Sequence, residues 1–235
     1  MAYFPFFMDL SRRKGLIVGG GAVALRKARA LLEYEAKLTV AAPELLPEFR
    51  KLPGVRLLRQ PFTPELLEGT WFVIAATDDP DENRKIAALC RQRDILVNVV
   101  DDREACTFLF PALVHEGCLS VGISTGGASP SGAGWLKEQI RALLPEGFGE
   151  LLEYLGAQRE TVRAAFPADE KRRAAVYAHL FDACMAAGRP LRQEEFDAMI
   201  RQAEVVFAFV GAGSVLDKLV LYSKKHHFEN IVFIP

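Results

Sequence analysis

From Gly15 to about Asp101 the chain alternates short apolar runs with segments whose apolar positions recur at helical spacing. Leu16-Ile17-Val18 is apolar throughout and runs into Gly19-Gly20-Gly21. From Ala22 to Tyr34, Ala24, Ala28, Leu31 and Leu32 share one helical face, with Arg26, Lys27 and Arg29 around the others. Lys37–Ala42 predicts a second strand, ended by Pro43, and Val55–Leu58 and Trp71–Ala75 predict two more. Asp81–Arg93 predicts a helix and Leu96–Val100 the strand after it. Strands apolar on both faces, separated by helices, are the pattern of a parallel sheet with right-handed crossovers. This part of the chain therefore predicts an α/β, Rossmann-like sheet.

From Phe108 the rhythm changes. Phe108–His115 and Leu119–Thr125 lie too close together for a crossover helix, so they predict an antiparallel pair turning at Glu116-Gly117. A small-residue stretch, Thr125 to Gly134, leads into helical patterns near 135–144, 149–165, 169–187 and 192–203. Val205–Val210, Val215–His227 and Asn230–Ile234 predict a terminal strand, helix and strand. The expected organisation is a Rossmann-like domain over 1–104, an α+β segment over 105–148 and a helical C-terminal domain over 149–235 with that β-α-β addition.

The strongest local signal is Gly19-x-Gly21-x-x-Ala24, placed directly after a strand and at the start of a helix. The first glycine permits a tight turn, the second lets backbone approach a pyrophosphate, and Ala24 keeps helix and strand close. The bland alternative is a turn that holds no ligand. Downstream, Pro43-Glu44 follows the second strand, where Glu44 reaches an adenosine ribose or the backbone walls the adenine. With no Arg or Lys in that stretch for a 2′-phosphate, NAD is favoured over NADP. Thr77 and Asp78 follow the fourth strand, as a helix cap, a cofactor contact, or both. Asn98 and Asp101 are polar at the end of an otherwise apolar strand; a plain loop carboxylate is the alternative reading of Asp101.

Composition narrows the classes. With 29 Lys and Arg against 30 Asp and Glu, the net charge of -1 argues against a general nucleic-acid or anionic-membrane binder. The longest uncharged run, 117–136, is rich in Gly and Ser, and nothing matches a bilayer-spanning segment or a signal peptide, so a cytoplasmic protein is expected. Cys90, Cys106, Cys118 and Cys184 lack metal or disulfide-framework spacing, and the four histidines share no ligand pattern with them, so no metal site is expected. No Walker A pattern is present, and Ser129 lies between Ala128 and Pro130 rather than in a nucleophile elbow.

Five segments occur in a characteristic order: Phe6–Leu10, Leu16-Ile17-Val18-Gly19-Gly20-Gly21-x-Val23-Ala24-x-Arg26-Lys27-Ala28, Ile74-Ala75-Ala76-Thr77-Asp78-Asp79, Asn98-Val99-Val100-Asp101 and Ser124-Thr125-Gly126-Gly127-Ala128-Ser129-Pro130. Together they resemble the precorrin-2 dehydrogenase family, which includes the N-terminal portion of bacterial siroheme synthase, over roughly residues 3–165. The resemblance implies a homodimer whose 105–148 segment interlocks, NAD as cofactor, and oxidation of the tetrapyrrole precorrin-2 to sirohydrochlorin; some members also insert ferrous iron, and others leave that step to a separate chelatase. It implies NAD contacts at Ala22-Val23 and Pro43-Glu44, a catalytic role for Asp101, and substrate contacts at Asn98, Thr125, Gly126, Gly127 and Ser129. One departure stands out: Gly132-Ala133-Gly134 replaces the family's usual Leu-Ala-Arg, which removes a cation for substrate carboxylates and leaves Lys137 and Arg141 as the nearest replacements. An NAD-sensing regulatory module without catalysis, or a degenerate Rossmann protein, remains the rival reading.

Overall fold

The computed structural model describes residues 4–208, with side chains as far as Ala203. By contacts the chain divides into two units. One runs to Leu113 and takes up Gly122–Glu138; the other comprises Val114–Val121 and the residues from Gln139 on.

The first unit is a five-stranded parallel sheet of order β3-β2-β1-β4-β5, formed by β1 (Lys14–Val18), β2 (Lys37–Ala41), β3 (Arg56–Leu58), β4 (Phe72–Ala75) and β5 (Leu96–Val99). Helix α1 (Ala22–Leu32) links β1 to β2, and α2 (Pro80–Gln92) links β4 to β5. Strand alternation explains why both faces are apolar. Ile17 and Ile74 face the cluster of Ala24, Ala28 and Leu31 on α1, while Leu16, Val18, Val73 and Val97 face Ile86, Ala87 and Cys90 on α2. From β1 the chain crosses outward to β2, then returns to place β4 on the other side of β1. The carboxyl ends of β1 and β4 therefore flank a topological switch point, where open α/β sheets bind ligands.

The antiparallel pair is shorter than expected. Strands β6 (Ala112–Glu116) and β7 (Leu119–Ile123) form a two-stranded sheet, but Phe108–Pro111 is not strand. Pro111 has no N–H for a ladder, so pairing starts after it. Helix α3 (Pro130–Leu143) begins five residues before the expected 135, because Pro130 sets a helical φ and the Ser129 hydroxyl accepts from Gly132 N–H at 3.0 Å. Gly132 and Gly134 thus lie within the helix rather than before it.

In the second unit, α4 (Phe148–Ala157), α5 (Arg159–Ala165), α6 (Glu170–Ala187) and α7 (Gln193–Ala208) enclose Leu151, Val162, Phe166, Leu180, Cys184 and Phe196. The single helical pattern read over 149–165 is two helices, with Gly156 weakening the first just before the break. The strand expected over Val205–Val210 is also corrected: α7 continues through Ala208. A short apolar run fits a strand or a buried helix equally by periodicity, and here a helix already started at Gln193 propagates through it. The strand and helix read over 215–234, and the Gly211–Gly213 turn, lie outside the described residues.

Candidate dinucleotide and catalytic site

The three glycines after β1 do different work. Gly19 has φ +129°, and the Ala76 carbonyl oxygen occupies the place of any Cβ there. Gly20 is pressed equally hard on its other side by the Glu44 carbonyl, and its own carbonyl accepts from Leu46 N–H at 3.0 Å. Gly21 is different: its backbone is extended, with φ -87° and ψ -173°, and nothing lies within 4 Å of a Cβ built on it. It opens α1 without a side-chain cap, and the first turn of α1 holds no acidic residue. The leading N–H groups of α1 and its positive dipole end therefore face open space, the environment a pyrophosphate requires.

Across the switch point, residues 76–79 form the second wall. Asp79 caps α2, accepting from Asp81 N–H at 2.8 Å and Glu82 N–H at 3.3 Å. Buried Asn83 reaches back from α2, accepting from Thr77 N–H and Oγ1 at 3.1 and 2.8 Å and donating to Thr77 O at 3.0 Å. Thr77 is thereby fixed, and Asp78 is exposed beside it.

The third wall is the loop 100–107 after β5. Its stems are zipped together: Thr107 N–H donates to Val97 O at 2.8 Å, and Val97 N–H to Thr107 Oγ1 at 2.8 Å. Val99 N–H donates to Cys106 Sγ at 3.1 Å. At the tip, Asp101 is exposed with φ +60°, a left-handed conformation that Asp and Asn tolerate better than most residues. Next to it, Asp102 accepts from Ala105 N–H at 3.1 Å and from Arg84 Nε at 3.1 Å, and these bonds hold its carboxyl below the usual range. The three walls enclose a cleft of about 640 Å3 that includes Gly21, Ala22, Val23, Thr77, Asp78 and Asp101 in its lining.

The remaining expected residues sit around this cleft. Gly19 and Ala24 are buried beneath the turn; Pro43 and Glu44 are exposed at the end of β2 and do not line the cleft, and the Glu44 backbone presses on Gly20. Asn98 is buried, so its amide is a structural partner: it accepts from Lys27 Nζ at 2.9 Å and donates to Phe108 O at 3.1 Å. Thr125 and Ser129 tie their own loop, the Thr125 hydroxyl donating to Ser129 O and accepting from Ser129 N–H, both at 3.1 Å. Gly126 and Gly127 have φ +61° and +84°, and a Cβ on Gly127 would lie 3.4 Å from Arg103 Cδ. That approach sets the loop beside Arg103, which lines the cleft.

Sequence reasoning missed Gly20, Lys27 and Asn83 as parts of the site. Asn83 carried a readable signal: it takes the first place in the stripe 83, 86, 87, 90, whose other members form the apolar face of α2. Among the described residues no group of His, Cys, Asp and Glu is arranged to hold a metal ion, and all four cysteines are free thiols. No helix among the described residues is long and apolar enough to cross a membrane.

A glycine turn at the switch point, an uncapped helix N-terminus and a cleft walled by Thr77 and Asp101 define an α/β dinucleotide-binding protein. A family model described as NAD(P)-binding matches residues 6–112. The chain is 42% identical over 176 residues to the siroheme synthase of Chromobacterium violaceum, a match covering 74% of this chain and 37% of that protein. It is 38% identical over 223 residues to siroheme synthase 1 of Aeromonas hydrophila, covering 91% of this chain and 48% of that one. The solved structure of SirC, precorrin-2 dehydrogenase, shares the fold, with a TM-score of 0.62 at 24% identity over 86% of this chain and 99% of that chain. The chain belongs to the siroheme synthase family, and spans less than half the length of these two siroheme synthases.

Proposed function

We propose that this chain catalyses the NAD-dependent oxidation of precorrin-2 to sirohydrochlorin in siroheme biosynthesis, as a cytoplasmic homodimer joined through its 105–148 segment. The observation that carries this reading is the exposed Asp101 carboxylate, on the rim of the same cleft as the uncapped N-terminus of α1. The oxidation removes a hydride from a ring carbon of the substrate and a proton from the same macrocycle. Bound NAD supplies the hydride acceptor. The N–H groups of Ala22 and Val23 would hold its pyrophosphate where Gly21 leaves room, with Thr77 and Asp78 across the cleft, and Pro43 and Glu44, beyond the cleft lining at the end of β2, would be left to the adenosine end. Asp101 takes the proton on a carboxylate oxygen, and the Thr125–Ser129 loop beside Arg103 faces the tetrapyrrole carboxylates.

The test is the absorbance time course of the purified chain with enzymatically generated precorrin-2, with and without NAD. Growth of the sirohydrochlorin spectrum only with NAD supports the reading; NAD binding with no oxidation favours a nucleotide-sensing module instead. Asp101→Asn keeps the left-handed backbone accessible, so it isolates the carboxylate: turnover falls about 100-fold or more while NAD affinity stays unchanged. The names of the two siroheme synthases favour a second activity, insertion of ferrous iron as substrate, and sirohydrochlorin with ferrous or cobaltous ion tests it on the same preparation.

A further inference from the structure

Lys27 belongs to α1, the helix whose first turn faces the cleft, and its side chain reaches β5 without lining that cleft. Its ammonium donates to Asn98 Oδ1 at 2.9 Å and lies 4.2 Å from the centre of the Phe110 ring. The Asn98 amide then turns its nitrogen to Phe108 O at 3.1 Å and to Cys106 Sγ at 3.5 Å. Cys106 receives Val99 N–H, and its thiol is within reach of the Val99 and Asp102 carbonyls, both at 3.3 Å. Asn98 and Val99 belong to the stem entering the Asp101 loop; Cys106, Phe108 and Phe110 follow its tip. One cation on α1 therefore holds one end of an amide whose other end joins the second stem.

We propose that Lys27 is a positioning residue for the Asp101 loop, acting through Asn98 to fix the carboxylate relative to the cofactor helix. This also moves Asn98 from substrate contact to loop strut. Three features favour fixation over incidental packing. A buried asparagine has two orientations of nearly equal shape, and the Lys27 donor at Oδ1 and the Phe108 carbonyl at Nδ2 both favour the observed one, so the amide links α1 to the far stem. A lysine ammonium is costly to bury without a partner, and here burial, reinforced by Arg26 on the same helix and opposed by Cys106 and Asp101 on the loop, lowers its pKa to about 8. Arg84 with Asp102 and Arg91 with Glu104 O at 2.7 Å tie the loop tip to α2, while the Lys27–Asn98 bond ties its entering stem to α1, the cofactor helix.

The proposal rests on the dehydrogenase reading, and the experiment separates the two. Lys27→Met is compared with wild type in three measurements: amide hydrogen exchange at Val99 and Thr107, NAD affinity, and steady-state kinetics with precorrin-2. Expected are exchange about tenfold faster at both amides, NAD affinity within about twofold, and kcat lower by about 10- to 100-fold with little change in KM. Lys27→Arg, which retains a cationic donor, restores exchange protection and most of kcat. Unchanged exchange at both amides overturns the proposal, whether or not kcat falls, because a loss of rate without loosening means a direct chemical role. Loss of NAD affinity parallel to the loss of rate also overturns it, assigning Lys27 to cofactor binding. If wild type fails to oxidise precorrin-2, the proposed function fails, and the exchange result alone decides the strut. Should Lys27→Met not fold, Lys27→Leu, which also lacks a donor, replaces it under the same criteria.

Discussion

Gly20 and Gly21 are adjacent and chemically identical, yet their surroundings predict opposite phenotypes. A methyl group on Gly20 meets the Glu44 carbonyl, backbone against backbone with no flexible end to yield. Gly20→Ala is expected to destabilise the fold by about 3 kcal/mol. A methyl group on Gly21 projects into the open cleft from an extended backbone that alanine adopts freely. Gly21→Ala is expected to leave unfolding within about 0.5 kcal/mol of wild type while weakening NAD binding about tenfold or more. Thermal unfolding and NAD titration of both variants check the pair; a Gly21→Ala protein that binds NAD normally would remove the pyrophosphate from this turn. The two glycines of the fingerprint were legible in sequence because their spacing is local. Gly20 was not, since its constraint comes from the chain after β2. Lys27 and Asn98 are 71 residues apart, and nothing in either segment marks them as partners.

Lys27 also makes stability depend on pH. Its pKa is about 8 in the fold, lowered chiefly by burial, against about 10.4 in an unfolded chain. Between those values the unfolded chain keeps a proton that the fold has released, so unfolding free energy rises with pH in this window. Denaturant unfolding at intervals from pH ~7 to ~10 should show wild type gaining on Lys27→Met as pH rises. A difference that stays flat across the window would mean that Lys27 titrates as an ordinary surface lysine.

At the scale of elements, the best-determined boundary is the start of α2. Asp79 accepts two leading N–H groups, and Asp81 and Glu82 add negative charge to the first turn. Asp79→Ala is expected to lose about 1 kcal/mol. Because α2 also carries Asn83, which holds Thr77, fraying its start loosens the second wall of the cleft, and NAD affinity should fall along with the melting temperature. Unfolding and NAD titration of this one variant test both; a drop in stability with unchanged affinity would separate the cap from the wall. The sheet and its two crossover helices were legible because continuous apolar runs, helical patterns, turn glycines and capping acids all agreed there. Agreement failed where signals were ambiguous. The glycines at 132 and 134 read as a loop although Ser129 and Pro130 had already started the helix, and the apolar run from Val205 read as a strand although α7 was already under way. Propagation from an established helix outweighs the local preference of four residues.

For the whole molecule, the exposed apolar face of α3 is a feature that a single chain leaves unexplained. Trp135, Leu136 and Leu143 are 62%, 41% and 80% exposed, and their spacing puts them within about 100° of arc on one helix. A monomer rarely maintains large apolar side chains in a stripe of this kind, whereas a second copy covering it gains about 1.5–3 kcal/mol for each one fully buried. Leu136→Glu with Leu143→Glu places two charges in that stripe without touching the cleft. The wild-type chain is expected to sediment as a dimer and the double variant as a monomer. The NAD cleft is built wholly from residues between Gly21 and Glu104, so the monomeric variant should bind NAD within about twofold of wild type. A wild-type monomer at micromolar concentration would place the face of α3 outside any dimer interface. A monomeric variant that loses NAD binding would mean instead that the cleft is completed by the second copy, and that cofactor and assembly are coupled.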